Sequence, residues 1–474
     1  MTEKRNFLEE LNEKQKSAVL NTEGPTLVVA GAGSGKTKVL TSRLAYIVEQ
    51  KKAWPNQILC VTFTNKAAKE MRDRVNKMLS GKINSLSWLG TFHAISVKFL
   101  RRHAEAIGLK SNFTILDTDD QKKLVRNISK GENIDSKKIS PQFILALIDQ
   151  WKNKGLLPED VKLSKKSIFE NQILKVYKIY QNKIKDLNSC DFGDLILYCV
   201  KLFEKNPEIR KTYTNNFKYI LVDEYQDTNF IQNKWLSLIV NEKKNICCVG
   251  DDDQSIYSWR GAEIKNFLSF DKVYPNCKIF RLEQNYRSTK NILDTASHLI
   301  SHNKDRLGKK LWTNGDKGDL VKLNCYKNGK EEARGVGNII EEIIKKSNSL
   351  NNIAILVRAI YQTREFEERF LKIGINYRII GGIKFYERAE VKDAICYLRI
   401  INQKFDDLAF ERIINTPRRG IGEATIKQLY EFSSKNRFCL DDSAHRLIQF
   451  NQFKPKIKLE IKNVLELIKK WRID

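Results

Sequence analysis

The clearest chemistry in the sequence lies in a glycine-rich run, Ala30-Gly31-Ala32-Gly33-Ser34-Gly35-Lys36-Thr37. It follows the apolar stretch Thr26–Val29 and leads into the helical pattern Val39–Val48. Glycines in such a turn let successive backbone N–H groups converge on phosphate oxygens, and the helix terminus behind them favours an anion. Lys36 has the reach for the β- and γ-phosphates of a nucleotide, and the Thr37 hydroxyl suits a magnesium ion. Alanine stands at position 30 where the strict pattern asks for glycine, a change the geometry tolerates. A second run, Tyr219-Ile220-Leu221-Val222, ends in the adjacent acids Asp223 and Glu224. Paired acids at a strand end are often just a solvated turn. With a phosphate loop upstream, Asp223 instead suits the magnesium shell and Glu224 the polarisation of an attacking water. The pair of motifs implies a nucleoside triphosphate and Mg2+.

These groups need a scaffold that brings distant turns to one edge. Thr26–Ala30, Ile58–Phe63, Tyr219–Glu224, Ile246–Gly250 and Ile279–Leu282 are apolar at nearly every residue and end in polar or glycine-rich turns. That pattern predicts strands buried on both faces of a parallel sheet. Longer amphipathic stretches separate them, the alternation of an α/β fold. Between about Gly108 and Ser189 strand signals thin out. Helical periodicity appears in Asp120–Ile128 and Phe143–Trp151, which predicts a helical insertion over 109–189. A second α/β region is expected from near Cys277, with strand candidates Val321–Tyr326, Ile353–Arg358 and Tyr377–Ile380. Beyond Gly381 the pattern is helical to Asp474.

Length and composition bound the rest. A chain of 474 residues exceeds one ordinary core, so several domains are expected. Lys and Arg outnumber Asp and Glu by 84 to 57, a formal charge of +27. Such an excess favours a polyanionic partner, because each neutralised phosphate releases a counterion. The nine cysteines form no C-x-x-C pair and read as buried, reduced thiols. The five histidines show no metal-ligand spacing. No apolar stretch approaches the roughly 20 residues that span a bilayer, and Met1–Glu13 lacks the apolar core of a signal peptide. The expected location is cytoplasmic, with no membrane partner.

Taken together, the motifs resemble the UvrD/Rep/PcrA family of superfamily-one DNA helicases. Leu11-Asn12-Glu13-Lys14-Gln15 resembles its adenine-reading motif. Thr62-Phe63-Thr64-Asn65-Lys66-Ala67-Ala68 and Gly90-Thr91-Phe92-His93 resemble its first strand-contacting motifs. Asp223-Glu224-Tyr225-Gln226-Asp227 is similar to its acidic box, and Gly250-Asp251-Asp252-Asp253-Gln254-Ser255-Ile256-Tyr257-Ser258-Trp259-Arg260-Gly261 is close to a signature. Leu282-Glu283-Gln284-Asn285-Tyr286-Arg287-Ser288 resembles the opening of the second motor domain, and Gly381-Gly382 through Arg388 the approach to a second insertion.

The resemblance implies a P-loop NTPase with RecA-like domains, and ATP as its nucleotide. The first would be 1–108 with 190–278, carrying the 109–189 insertion. The second would begin at 279–380, incomplete, with part of its own insertion over 381–474. It also implies roles. Gln15 would bond the adenine edge and Tyr286 stack on the ring. Gln254 would sense the γ-phosphate, and Arg287 would reach it from the second domain. Phe63, Thr91, His93, Phe192, Tyr257 and Trp259 would contact DNA, the aromatic groups among them by stacking on bases, which is tolerant of sequence. The implied activity is ATP-dependent translocation, 3′-to-5′, with strand separation. Single-stranded DNA and tailed duplex DNA are the implied partners, with repair or replication proteins and self-association as further candidates.

The sequence also departs from the family pattern. Lys38 stands where arginine is usual, and Gly193 interrupts Asp191-Phe192-Gly193-Asp194 where a further acid is common. The family's last two motifs have no counterpart. A fragment of a longer helicase is therefore expected, and the competing expectation is a short ATP- and DNA-binding module without unwinding. Pro417-Arg418-Arg419-Gly420-Ile421-Gly422 reads as a phosphate-gripping turn. A helicase–nuclease subunit is disfavoured because no nuclease-like carboxylate cluster is visible.

Overall fold

A computed structural model describes residues 7–473 apart from 82–85, 163–167, 305, 348, 382–387 and 437. The chain divides into two compact units, 1–321 and 322–474.

The first unit is built on six parallel strands. They are β1 (Thr26–Ala30), β2 (Ile58–Thr62), β3 (Leu89–Thr91), β6 (Tyr219–Val222), β7 (Ile246–Gly250) and β8 (Lys278–Leu282), in the order β3-β2-β6-β7-β1-β8. Two further strands, β4 (Thr114–Ile115) and β5 (Ser189–Cys190), pair with each other where the segment between them leaves and returns. Successive strand side chains point to opposite faces, and the core obeys that rule. Leu27, Val29, Leu59 and Val61 enter one buried cluster with the helices Phe92–Arg102, Phe192–Lys205 and Phe230–Ile239. Val28, Ala30, Ile58 and Cys60 enter the other, with the helices Glu13–Leu20, Lys36–Glu49 and Asn65–Met78. A strand sandwiched between helices must be apolar throughout, which is why these runs lack alternation in the sequence. Because every strand is parallel, the turns after β1, β2, β3, β6, β7 and β8 all open at one sheet edge.

Three differences from the sequence reading concern pairing. Lys278–Leu282, read as one of the strands buried on both faces, pairs with β1 at the sheet's edge and is largely exposed. β3 has only three residues, too few to show a period. The candidates Val321–Tyr326, Ile353–Arg358 and Tyr377–Ile380 carry no ladder among the described residues. β-branched composition favours extended backbone, but a strand exists only where a partner accepts its N–H and C=O groups.

Between β4 and β5 the backbone is helical, with Thr118–Gly131, Pro141–Asn153 and Ile168–Asp186. In the second unit, the helices Gly329–Ser347 and Thr363–Ile373 pack around Ala333, Ile340, Phe366 and Phe370. Ile353 and Ile355 lean on that cluster, while Leu356 on the alternate side is 95% exposed. Five more helices between Ala389 and Trp471 share a separate core around Ile400, Phe410, Ile413 and Leu465. The segment 382–387, singled out in the sequence, lies outside the described residues. No described helix is long and apolar enough to cross a membrane. Of the cysteines, Cys60, Cys190, Cys199, Cys247, Cys248 and Cys396 are buried and Cys325 is exposed, all as free thiols.

Candidate nucleotide and nucleic-acid site

The phosphate loop leaves β1 and turns through Gly33 (φ +71°) and Gly35 (φ +86°), conformations that side chains resist. Ser34 Oγ donates to Gly31 O at 2.7 Å and closes the turn. The helix Lys36–Glu49 then starts with Gly35 at its N-cap and no side chain on its first N–H groups. Those donors are left for a ligand, at the positive end of the helix. Lys36 Nζ sits 3.1 Å from Glu224 Oε2.

Asp223 and Glu224 follow β6. Glu224 takes a left-handed backbone (φ +48°), which aims consecutive acids in different directions. Its Oε2 also accepts a bond from Gln226 Nε2 at 2.9 Å. Asp223 is buried; Oδ2 accepts from Thr62 Oγ1 at 3.4 Å, and Oδ1 has no partner. Burial and then the Glu224 charge push its carboxyl up to about 6, against the pull of Lys36. A buried carboxylate oxygen without a donor is a group that a hard divalent cation satisfies, so the residues present fit magnesium. Asp227, with Oδ1 also unpaired, is raised to about 6 by burial and by Glu224.

Two further segments close on the loop. Asn12 and Gln15 form a reciprocal cap at the start of the helix Glu13–Leu20, and Gln15 Nε2 donates to Ser34 O at 2.9 Å. After β8, Tyr286 N donates to Gly33 O at 3.0 Å and Asn285 Nδ2 to Ala32 O at 2.6 Å. Arg287 is positioned by the same turn, its Cβ close enough that a Cβ on Gly33 would meet it at 2.7 Å. The Arg287 Cβ thus lies beside the phosphate loop, on the segment that follows β8. The Tyr286 hydroxyl accepts from Asn12 Nδ2 and donates to Gln284 Oε1, both at 2.8 Å, leaving the ring exposed.

Aromatic groups gather at the same sheet edge. Phe63, after β2, stacks on Tyr257 at 5.2 Å, and Tyr257 lies 6.4 Å from Trp259. Arg260 covers Trp259 at 4.6 Å, and the indole is still 71% exposed. A second pair joins His93 and Phe192 edge-on at 5.7 Å. Burial holds the His93 imidazole below its ordinary value, so it is neutral near pH 7. Thr91 uses its hydroxyl to cap the helix Phe92–Arg102. Gln254 donates to Asp251 Oδ2 at 2.5 Å.

The two departures acquire local reasons. Lys38 bonds Glu10 O at 2.7 Å instead of lying flat on a base. A side chain at Gly193 would meet Lys152 Cδ at 2.9 Å. Sequence reasoning quoted Gln226 and Asn285 within motifs but gave them no role, and it missed Leu311 and Lys309, whose neighbours lie far along the chain and leave no local pattern.

Comparison with known proteins agrees with this geometry. Residues 11–275 match the UvrD/REP helicase N-terminal domain, and residues 280–467 the UvrD-like helicase C-terminal domain. A probable DNA helicase II homolog of Rickettsia felis is 45% identical over 475 residues, 99% of this chain and 72% of that protein. The ATP-dependent DNA helicase PcrA of Staphylococcus epidermidis is 43% identical over 465 residues, 98% of this chain and 63% of that protein. With a phosphate loop, a paired acid and a stacking ladder on one sheet edge, and with these matches along nearly its whole length, the chain belongs to the UvrD/REP helicase family.

Proposed function

We propose that the chain is an ATP-hydrolysing DNA helicase that moves 3′-to-5′ along single-stranded DNA and separates the duplex ahead. The observation that carries this is one hydrogen-bonded edge holding both chemistries. Lys36 meets Glu224 beside an unpaired Asp223 oxygen, and the turn after β7 continues into the Tyr257–Trp259 ladder.

In this reading the backbone N–H groups of residues 31–37 hold the phosphates, with Gln15 and Tyr286 on the adenine. Thr37 and Asp223 would hold magnesium, which supplies charge neutralisation between the phosphates. Glu224, at a strand end and paired with Lys36, would orient and deprotonate the attacking water. Lys36, Gln254 and Arg287 would stabilise negative charge developing on the transferred phosphoryl. Phe63, Tyr257, Trp259 and Phe192 would stack on successive bases, with Thr91 and His93 beside the strand. Stacking reads no sequence, as stepwise movement requires.

The test is steady-state ATP hydrolysis by this chain with no DNA, with single-stranded DNA, and with duplex carrying a 3′ or a 5′ tail. Stimulation by single strands and by the 3′ tail supports the proposal. Preference for the 5′ tail would reverse the direction. Tight ATP and DNA binding with background hydrolysis would leave a binding module without motor activity.

A further inference from the structure

Asp251, Asp252 and Asp253 follow β7 and lie with carboxylate oxygens within 4.8 Å of one another. Asp251 and Asp252 are buried. Three like charges so close would drive the turn apart or bind a cation. Lys309 answers them: its ammonium reaches Asp251 Oδ1 at 2.7 Å, Asp252 Oδ1 at 2.5 Å and Asp253 Oδ2 at 2.7 Å. An ammonium has three N–H donors, and here each meets one carboxylate. Arg306 adds a two-pronged pair to Asp253, at 2.6 and 2.8 Å, and Leu307 N donates to Asp252 Oδ2 at 2.8 Å. The position a metal would take is filled by a side chain.

The held turn has two neighbours of functional weight. On one side, Asp251 N donates to Gln226 Oε1 at 3.0 Å, and Gln226 Nε2 bonds Glu224 at 2.9 Å. Asp251 Oδ2 accepts from Gln254. On the other side, the chain runs three residues from Gln254 to Tyr257, the centre of the ladder. Past Lys309 the strap reaches the phosphate loop. Lys310 N and Trp312 N both bond Glu283, and a Cβ on Gly31 would meet Leu311 Cδ2 at 2.2 Å.

We propose that Lys309, with Arg306, is a positioning residue that couples the nucleotide site to the base-stacking aromatics, by holding the 251–254 turn against the strap 306–312. When a γ-phosphate draws the Gln254 amide from Asp251, the clamp keeps the turn intact, so the displacement passes on to Tyr257 and Trp259. Without the clamp, the turn absorbs it.

This rests on the helicase reading, so the test needs no hydrolysis. Anisotropy of a labelled oligothymidine would be titrated with the chain, with and without a non-hydrolysable ATP analogue and magnesium. Unaltered protein should change its DNA affinity at least about fivefold with nucleotide, the lower end of ordinary coupling. Lys309→Met, similar in length but neutral, should bring that ratio to within about twofold of unity. DNA affinity without nucleotide, and nucleotide affinity without DNA, should each stay within about threefold. Arg306→Gln, at the more open rim, should give an intermediate ratio, and it carries the test if Lys309→Met does not fold. A folded Lys309→Met or Arg306→Gln with the full ratio overturns the proposal, as does a parallel fall in both separate affinities. No coupling in unaltered protein would defeat the helicase reading itself, and the proposal with it.

Discussion

Two lysines of the first unit each face a pair of carboxylates, and they are built to opposite ends. Lys152 is fully buried, 2.6 Å from Asp191 and 2.8 Å from Asp194. All four carboxylate oxygens there are used. Asp191 Oδ2 accepts from Tyr180, Asp194 Oδ1 from Gln181, and the two acids exchange bonds with each other's backbone N–H. Lys36 faces Asp223 and Glu224 at an open edge, with one 3.1 Å ion pair and one buried oxygen left over. The same three charges thus make a closed joint in one place and a receptive site in the other. What separates them is how many lone pairs the surrounding chain satisfies.

The closed joint has a purpose within the fold. Asp191 caps the helix Phe192–Lys205, so fixing it fixes the exposed Phe192 ring at that helix's first residue. Caps of this kind contribute about 1 kcal/mol. A buried ion pair contributes little net stability against an apolar replacement of both partners, but removing one partner strands the other charge.

This comparison breaks if the two lysines respond alike. The largest effect is expected from Lys36→Ala, with DNA-stimulated ATP hydrolysis reduced by roughly 10³, as for loss of a charge-stabilising donor. Its melting temperature and salt-sensitive DNA binding should persist, and near-normal turnover would remove Lys36 from the site. Glu224→Gln should keep ATP binding and slow hydrolysis by about 10²–10⁴, the range for a positioned base; an unchanged rate would refute that role. Lys152→Met should do the reverse of Lys36→Ala, destabilising the fold by about 3–5 kcal/mol in urea titration. The surviving folded protein should hydrolyse ATP without DNA at close to the normal rate, and an intact stability curve would show the joint to be dispensable.

A smaller effect sharpens the picture at the aromatic edge. Trp259→Ala should weaken single-strand binding by roughly 1–3 kcal/mol, the value of one stacked base. Equal loss of ATP affinity would point to misfolding.

The smallest effect is a pH dependence of the closed joint. Burial and the Asp191 charge push Asp194 up to about 7 from 3.8, while Lys152 and Tyr180 hold Asp191 below the usual range despite burial. Asp149, nearby, is raised to about 6 by burial and Asp191. Between about pH 4 and 7 the folded chain therefore keeps protons that the unfolded chain has lost. Stability should fall as pH rises through that window and level above it, with Asp191 opposing only near its acid end. Asp194→Asn should flatten the slope measured by denaturation at pH 5 and 7.5, and an unchanged slope would assign it elsewhere.

The sequence by itself determined the parts whose chemistry is local. A phosphate loop is a strand, a glycine turn and a helix start within a dozen residues, so 26–37 reads directly. The acids after β6, the Asp251–Trp259 run and the buried apolar strands are similarly self-contained, because periodicity and turn residues act over a few positions. Only the tertiary structure decided pairing. β8 read as a sheet strand, but its place at the edge beside β1, which leaves it largely exposed, is announced by no property of Lys278–Leu282. Ile353–Arg358 has strand composition and no ladder among the described residues, since composition alone supplies no partner for its backbone groups. Arg306 and Lys309 sit 53 and 57 residues from the acids they hold, and their meeting depends on the sheet bringing both segments to one edge. Short-range sterics and hydrogen bonding write themselves into sequence; contacts that close long loops are set by the packing of the whole domain.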